Sequence, residues 1–243
     1  MSKIKHKFGE FESMKFDHRR KDFNKYIRYI EENKIDLIDI LEHYTAYSGH
    51  MALHRIITLY EYYKMVNNVA GHIAEIGVYK GAGSLLFAKL IKIFESESLT
   101  QVHGFDWFKG TGPGSVNDSE LVPEGGYQCS YEELVSLIKL QKLDHILKIH
   151  CIDLINEEIH TFFDQHKHLQ FKLVFMDSGM YNIMNNCIPV FWNRLTPGGI
   201  MIFDQYNHEL APGETLSLRE ILPNVKVKTI PNTWMPSAYI IKE

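Results

Sequence analysis

An open, mainly parallel, doubly wound α/β sheet is the fold class this sequence predicts, and three observations predict it. After residue 70, short apolar runs alternate with longer stretches of helical periodicity. Polar and glycine-rich residues fall just past the ends of those runs, and before residue 70 the periodicity is helical throughout. Strands that alternate with helices need right-handed crossovers, which give a parallel sheet covered on both faces. The chain therefore divides into an N-terminal helical cap, 1–70, and a sheet domain, 71–243.

In the cap, stretches 17–33 and 34–43 carry Phe23, Tyr26, Ile27 and Ile30, then Ile35, Leu37, Ile38 and Leu41, at helical spacings. Residues 51–68 continue the pattern, with Leu53, Ile56, Ile57, Tyr60 and Tyr63 on one face. Tyr44, Tyr47, Tyr60, Tyr62 and Tyr63 pack the cap onto the sheet or line an acceptor pocket. Strands are expected at 72–76, 101–106, 146–151, 171–176 and 199–204, and helices at about 82–96, 130–142, 155–167 and 184–195. The β-like runs 224–230 and 237–242, separated by PNTWMP, predict a C-terminal β-hairpin at one sheet edge.

Composition narrows the function. Twenty-six basic and 30 acidic residues leave a net charge of −4, so the chain has no general attraction for nucleic acid. Three scattered cysteines, Cys129, Cys151 and Cys187, without a CxxC pair, fit reduced thiols better than disulfides or zinc. The charged N-terminus lacks the apolar core of a signal peptide, and no run of about 18 apolar residues spans a bilayer. A cytoplasmic protein is expected.

Ligands of such sheets bind beyond the carboxyl ends of the strands, at the switch in strand order. After the first strand stands Glu75-Ile-Gly77-Val-Tyr79-Lys-Gly81-Ala-Gly83-Ser84. Its glycines allow a tight turn and close backbone approach to a ligand. It is not the G-x-G-x-x-G of a dinucleotide site, and the leading carboxylate repels pyrophosphate but suits the amino group of S-adenosylmethionine. Asp106 ends the second strand, placed to accept from ribose hydroxyls, with Trp107 and Phe108 next to it as rings for adenine. Asp153, after the third strand, accepts from an adenine amino group or serves as a helix N-cap.

These blocks, with Phe105-Asp-Trp-Phe-Lys-Gly110 and Leu195-Thr-Pro-Gly-Gly-Ile-Met-Ile-Phe-Asp-Gln-Tyr206, resemble the macrocin O-methyltransferase family over about Met51 to Tyr206. The resemblance implies a class I methyltransferase fold with a seven-stranded, Rossmann-like sheet, S-adenosylmethionine as cofactor, and methylation of hydroxyls of sugars and related compounds. In this reading Glu75, Gly77, Tyr79, Gly81, Ser84, Asp106, Trp107, Asp153 and Asp177 hold the cofactor.

The remaining strand ends carry Asp177 and the pair Asp204-Gln205. Two converging carboxylates with an amide oxygen suit a hard cation such as Mg²⁺, and similar methyltransferases place metal ligands there. Helix capping or ordering of the cofactor is the other reading of Asp177 and Asp204. The resemblance also implies a second Asp two residues after Asp177, as general base, but this chain has Gly179. His208, three residues past the pair, is the substitute base, with Tyr181 and His50 behind it. A bound cation would orient the acceptor oxygen and lower its pKa for in-line attack at ~3–3.5 Å. Residues 109–127, with five glycines and two prolines, are expected to form a mobile cover or a surface insertion.

Two other functions fit parts of the pattern: a NAD-dependent oxidoreductase or epimerase, and a noncatalytic protein that kept the cofactor pocket. The acceptor is expected to be a small hydroxylated molecule, and the apolar cap offers a surface for a homo-oligomer.

Overall fold

The structure is a computed structural model describing residues 24–122, 124–231, 233 and 235–243. Residues 17–23 of the expected first helix, Phe23 among them, lie outside the described residues. The remainder of that helix, α1, covers 24–32. It is followed by α2 (Leu37–Glu42), α3 (Tyr44–Tyr47) and α4 (His50–Met65). The sheet domain then runs β1 (His72–Ile76), α5 (Ala82–Phe94), β2 (Val102–Asp106), α6 (Tyr131–Leu140), β3 (Leu147–Cys151), α7 (Glu158–Gln165), β4 (Phe171–Met176), α8 (Tyr181–Asn193), β5 (Leu195–Phe203), α9 (Pro212–Ile221) and β6 (Ala238–Ile241).

Six strands pair in the order β3-β2-β1-β4-β5-β6, all parallel except β6 against β5. The order reverses between β1 and β4, so the open ends of these two strands flank the switch point. One core lies under α4, α5 and α6, and includes Leu59, Phe87 and Ile138; the other lies under α7, α8 and α9, and includes Phe163, Phe191 and Leu218. Every residue of β4 is buried, as a strand covered on both faces requires.

Two expectations at the C-terminal edge are corrected. The sheet has six strands among the described residues, not seven, and the predicted hairpin shrinks to a single bridge between Lys228 and Tyr239. Only Val225 and Ile230 of the run 224–230 pack onto the core, while Lys226, Val227, Lys228 and Thr229 face water, so little apolar burial holds the run in register. Strand β5 begins earlier than expected. Its segment between Leu195 and Ile200 bulges where Phe171 pairs with Leu195 and Leu173 with Ile200.

The cap also differs from its expected packing. On α4 Thr58, Leu59, Tyr62 and Tyr63 are buried, as is Val66 just past its end, while Ile56 and Ile57 are exposed. The helix is apolar on two faces, so periodicity alone does not choose between them. Polar anchors choose: Tyr63 donates to Glu95 at 2.5 Å, and Arg55 reaches the ends of β4 and β5. Leu37, Ile38 and Leu41, expected on a packed face of α2, are all exposed.

Candidate active site

The turn from β1 to α5 is built by close backbone approach. Gly77 has φ +87°, and a Cβ there would stand 2.3 Å from the carbonyl oxygen of Asp177, so the ends of β1 and β4 touch. Glu75 lies beneath the turn, 1% exposed. It accepts the hydroxyl of Ser84, and its Oε1 sits where a side chain at Gly83 would be, 2.0 Å from that Cβ. Burial, then the neighbouring Asp177, pushes the Glu75 carboxyl up to about 8, against smaller lowering by Ser84 and Arg55.

Asp106 braces the turn from the other side. Its Oδ2 accepts the backbone N–H of Val78 at 2.8 Å and of Tyr79 at 2.9 Å, and its Oδ1 accepts that of Phe108 at 2.7 Å. A carboxylate offers about four lone-pair sites, so Oδ1 keeps capacity for one ribose hydroxyl. Tyr79 has φ +51°, its carbonyl accepts the Cys129 thiol at 2.8 Å, and its ring meets Tyr127 edge-on. The half-buried Trp107 donates its indole N–H to Gly110. Phe108 is buried against Tyr131 and is not a surface for adenine. Asp153 closes a local turn: Oδ1 accepts from the Ile155 N–H at 2.9 Å and Oδ2 from Asn156 at 2.7 Å. That is a turn closed by an aspartate side chain, not the expected helix N-cap, since the next helix begins at Glu158 behind Glu157.

At the acceptor end the structure joins the two predicted carboxylates through a residue that sequence reasoning missed. Arg55, on α4, donates Nη1 to Asp204 Oδ1 at 2.6 Å and Nη2 to Asp177 Oδ2 at 2.5 Å. Its guanidinium lies 5.2 Å from the centroid of the buried Phe175 ring. Burial opposes the charge, but Asp177 and Asp204 outweigh it, and the guanidinium is held above its ordinary value. Gln205 Nε2 donates to Asp204 Oδ2 at 3.2 Å, while its backbone N–H donates to Glu214 at 2.9 Å. A Cβ on Gly179, whose φ is +70°, would stand 2.9 Å from Gln205 Oε1, so the Gln205 amide fills the place of the expected second carboxylate.

This arrangement does not fit a divalent cation. One oxygen of each carboxylate is taken by a fixed positive charge, and Gln205 turns its amide nitrogen to Asp204 and its oxygen to Gly179. Among the described residues no group of three His, Cys, Asp or Glu side chains is arranged to hold a metal. His208 lies past the pair, where its Nδ1 accepts the Leu210 N–H at 3.1 Å. In the neutral ring that places the proton on Nε2. Tyr181 donates its hydroxyl to Glu220 of α9 at 2.6 Å, and His50 is exposed at the start of α4.

The glycine-rich segment 109–127 is tied down. Thr111 N–H donates to Gly126 O and Gly125 N–H to Thr111 O, each at 2.7 Å, which closes the base of the loop. Asp118 accepts from Ser115 and, through Oδ1, from the first N–H of α8 at Tyr181, 2.8 Å away. A Cβ on Gly213, at the start of α9, would stand 2.6 Å from both Asp118 Oδ1 and Tyr181 N.

A set of acids at three neighbouring strand ends, with a glycine turn between two of them, fits a ligand that carries an ammonium group and a ribose. Comparison with known proteins gives the family and the fold. The model of a family described as methyltransferase domain matches residues 74–206. Among solved structures, the calicheamicin methyltransferase CalS11 superposes with a TM-score of 0.77 at 18% identity, covering 92% of each chain. An apo structure of CalS11, described as TDP-rhamnose 3′-O-methyltransferase, gives 0.72 at 20% identity over 90% of this chain and 92% of that one. The O-methyltransferase NovP gives 0.65 at 18% identity over 78% and 79%. At these identities the likeness is one of fold. No curated protein sequence matches the chain.

Proposed function

We propose that this chain, which belongs to the methyltransferase domain family, is an S-adenosylmethionine-dependent O-methyltransferase acting on a hydroxyl of a sugar or sugar-containing metabolite. The observation that carries the reading is the placement of Glu75, Asp106 and Asp177 at the ends of β1, β2 and β4, around the switch point. The sugar class is supported by the sequence blocks quoted above and by the fold shared with CalS11 over nearly the whole of both chains.

Bound there, S-adenosylmethionine supplies a methyl group on a sulfonium, and the sulfur keeps the bonding pair when the methyl passes to oxygen. The chain's own residues set the geometry. Asp106 fixes the Gly77–Gly81 turn and offers its remaining lone pair to a ribose hydroxyl. Glu75 and Asp177 supply negative charge for the ammonium group, and Arg55 ties Asp177 to Asp204 beneath the acceptor. The acceptor proton passes to solvent, or to His208 in the tautomer that releases the Leu210 N–H.

The test is binding and turnover together. Calorimetry is expected to show S-adenosylhomocysteine binding and no NAD binding. Labelled methyl transfer is expected to one of a panel of nucleotide-linked deoxysugars and free glycosides. Retention of NAD without S-adenosylhomocysteine would favour the oxidoreductase. Cofactor binding without transfer to any hydroxylated acceptor would favour a noncatalytic pocket.

A further inference from the structure

We propose that Arg55 is the resident cation of the acceptor end, holding Asp177 and Asp204 in the position a divalent metal would otherwise occupy, so that methyl transfer by this chain needs no metal. This rests on the O-methyltransferase reading for its activity arm only; the metal-binding arm stands without it.

The geometry is that of a built ion site. The guanidinium arrives from α4, 122 residues before Asp177 and 149 before Asp204 in sequence, and gives each carboxylate one N–H at 2.5 and 2.6 Å. Asp204 is 4% exposed at its side chain and Asp177 22%, so the fixed acids are largely screened from water, while Arg55 keeps 36%. A guanidinium carries five N–H donors in a planar fork and does not lose its charge in proteins. Two donors go to the acids. The others can meet an acceptor oxygen by hydrogen bonding. Mg²⁺ held between these two acids at ~2.0–2.1 Å would stand beside the guanidinium, and the two positive charges repel at that range.

The replacement changes the chemistry. An arginine is not a Lewis acid: it orients an oxygen and stabilises developing charge by hydrogen bonds, but it does not coordinate the hydroxyl and generate an alkoxide. Arg55 is therefore a positioning residue for the acids and the acceptor, with proton removal left to another group. The +1 charge also joins the cap to the strand ends, so α4 and the sheet share one ion-paired centre.

The experiment uses the full chain. Free Mn²⁺ is followed by electron paramagnetic resonance while wild type, Arg55→Ala, Arg55→Gln and Arg55→Lys are titrated, and S-adenosylhomocysteine binding is measured in parallel as a check on folding. Wild type and Arg55→Lys are expected to leave Mn²⁺ free, whereas Arg55→Ala and Arg55→Gln bind it, and Asp204→Asn in either background abolishes that binding. Wild-type methyl transfer is expected to be unchanged by EDTA. Transfer by Arg55→Ala is expected to fall roughly 100-fold, with partial recovery on adding Mg²⁺ or Mn²⁺. Stoichiometric Mn²⁺ binding by wild type, or loss of its transfer in EDTA, overturns the proposal. If S-adenosylhomocysteine does not bind wild type, the methyltransferase reading falls, and the Mn²⁺ titration of wild type still decides the place of Arg55.

Discussion

Asp106 accepts the backbone N–H of Tyr79 across 27 residues at 2.9 Å, and the same oxygen takes the N–H of Val78. The acid read as a ribose acceptor is thus also the brace of the glycine turn, and the two roles use different oxygens. Asp106→Ala is expected to weaken S-adenosylhomocysteine binding by about 10- to 100-fold, the worth of one or two hydrogen bonds to a charged group. Calorimetry checks the affinity, and a thermal melt separates it from global unfolding.

Glu75 makes cofactor binding pH-dependent. Its carboxyl is protonated at neutral pH because burial and Asp177 raise it to about 8 from 4.5. An ammonium group brought close favours the carboxylate and expels that proton. Affinity is expected to rise from pH 6 to 8 with release of up to one proton per site, and Glu75→Gln to remove both effects. Calorimetry in two buffers of different ionisation enthalpy counts the proton.

Three imidazoles on adjacent strands make the fold acid-labile. His103 lies stacked 5.3 Å from His150 and tilted 5.2 Å from His72, with His103 Nδ1 3.0 Å from His150 Nε2. Burial, then the neighbouring rings, lowers His103 to about 3 and His150 to about 4, and burial lowers His72 as well. The rings stay neutral in the folded chain but take protons on unfolding below about 6.5, so stability is lost as pH falls from there towards 4. The loss is roughly 2 kcal/mol for each of His103 and His150 by pH 5. Glu75 acts oppositely from about pH 4.5 to 8, since the proton it keeps when folded is lost on unfolding. With the histidine slope larger until these rings are neutral in the unfolded chain, the apo protein is expected to be most stable at about pH 6.5. Melting temperature across pH 4–9 checks the maximum. A His103→Leu, His150→Leu double variant is expected to flatten the acid limb.

At the opposite end of β4, Lys172 Nζ stands 2.9 Å from both oxygens of Glu95, which also accepts from Tyr63 and Thr100. The lysine side chain is 2% exposed. Removing one charge strands the other in a poorly solvated place. Lys172→Met is expected to cost about 3–5 kcal/mol in urea unfolding, and Lys172→Met with Glu95→Leu to cost far less.

The strands were legible because each is a short apolar run ending in a polar residue, and all five core strands fall within a few residues of their expected positions. Helix α9 was overlooked, although Pro212 followed by Glu214 is a helix-start signal of the ordinary kind. The position of the acids at the strand ends was legible because it follows from where the strands end. Arg55 was not, because nothing local distinguishes it: it sits on a helix apolar on two faces, and its partners lie more than a hundred residues away. That Gln205 would turn its amide towards Gly179 is a property of packing between two strand ends, which no linear pattern records.

The junction of Asp118, Tyr181 and Gly213 works as a rivet. Because the loop oxygen, the first amide of α8 and the start of α9 meet with no room for a methyl group between them, the loop cannot shift at Asp118 without tugging the helix that begins four residues beyond Asp177.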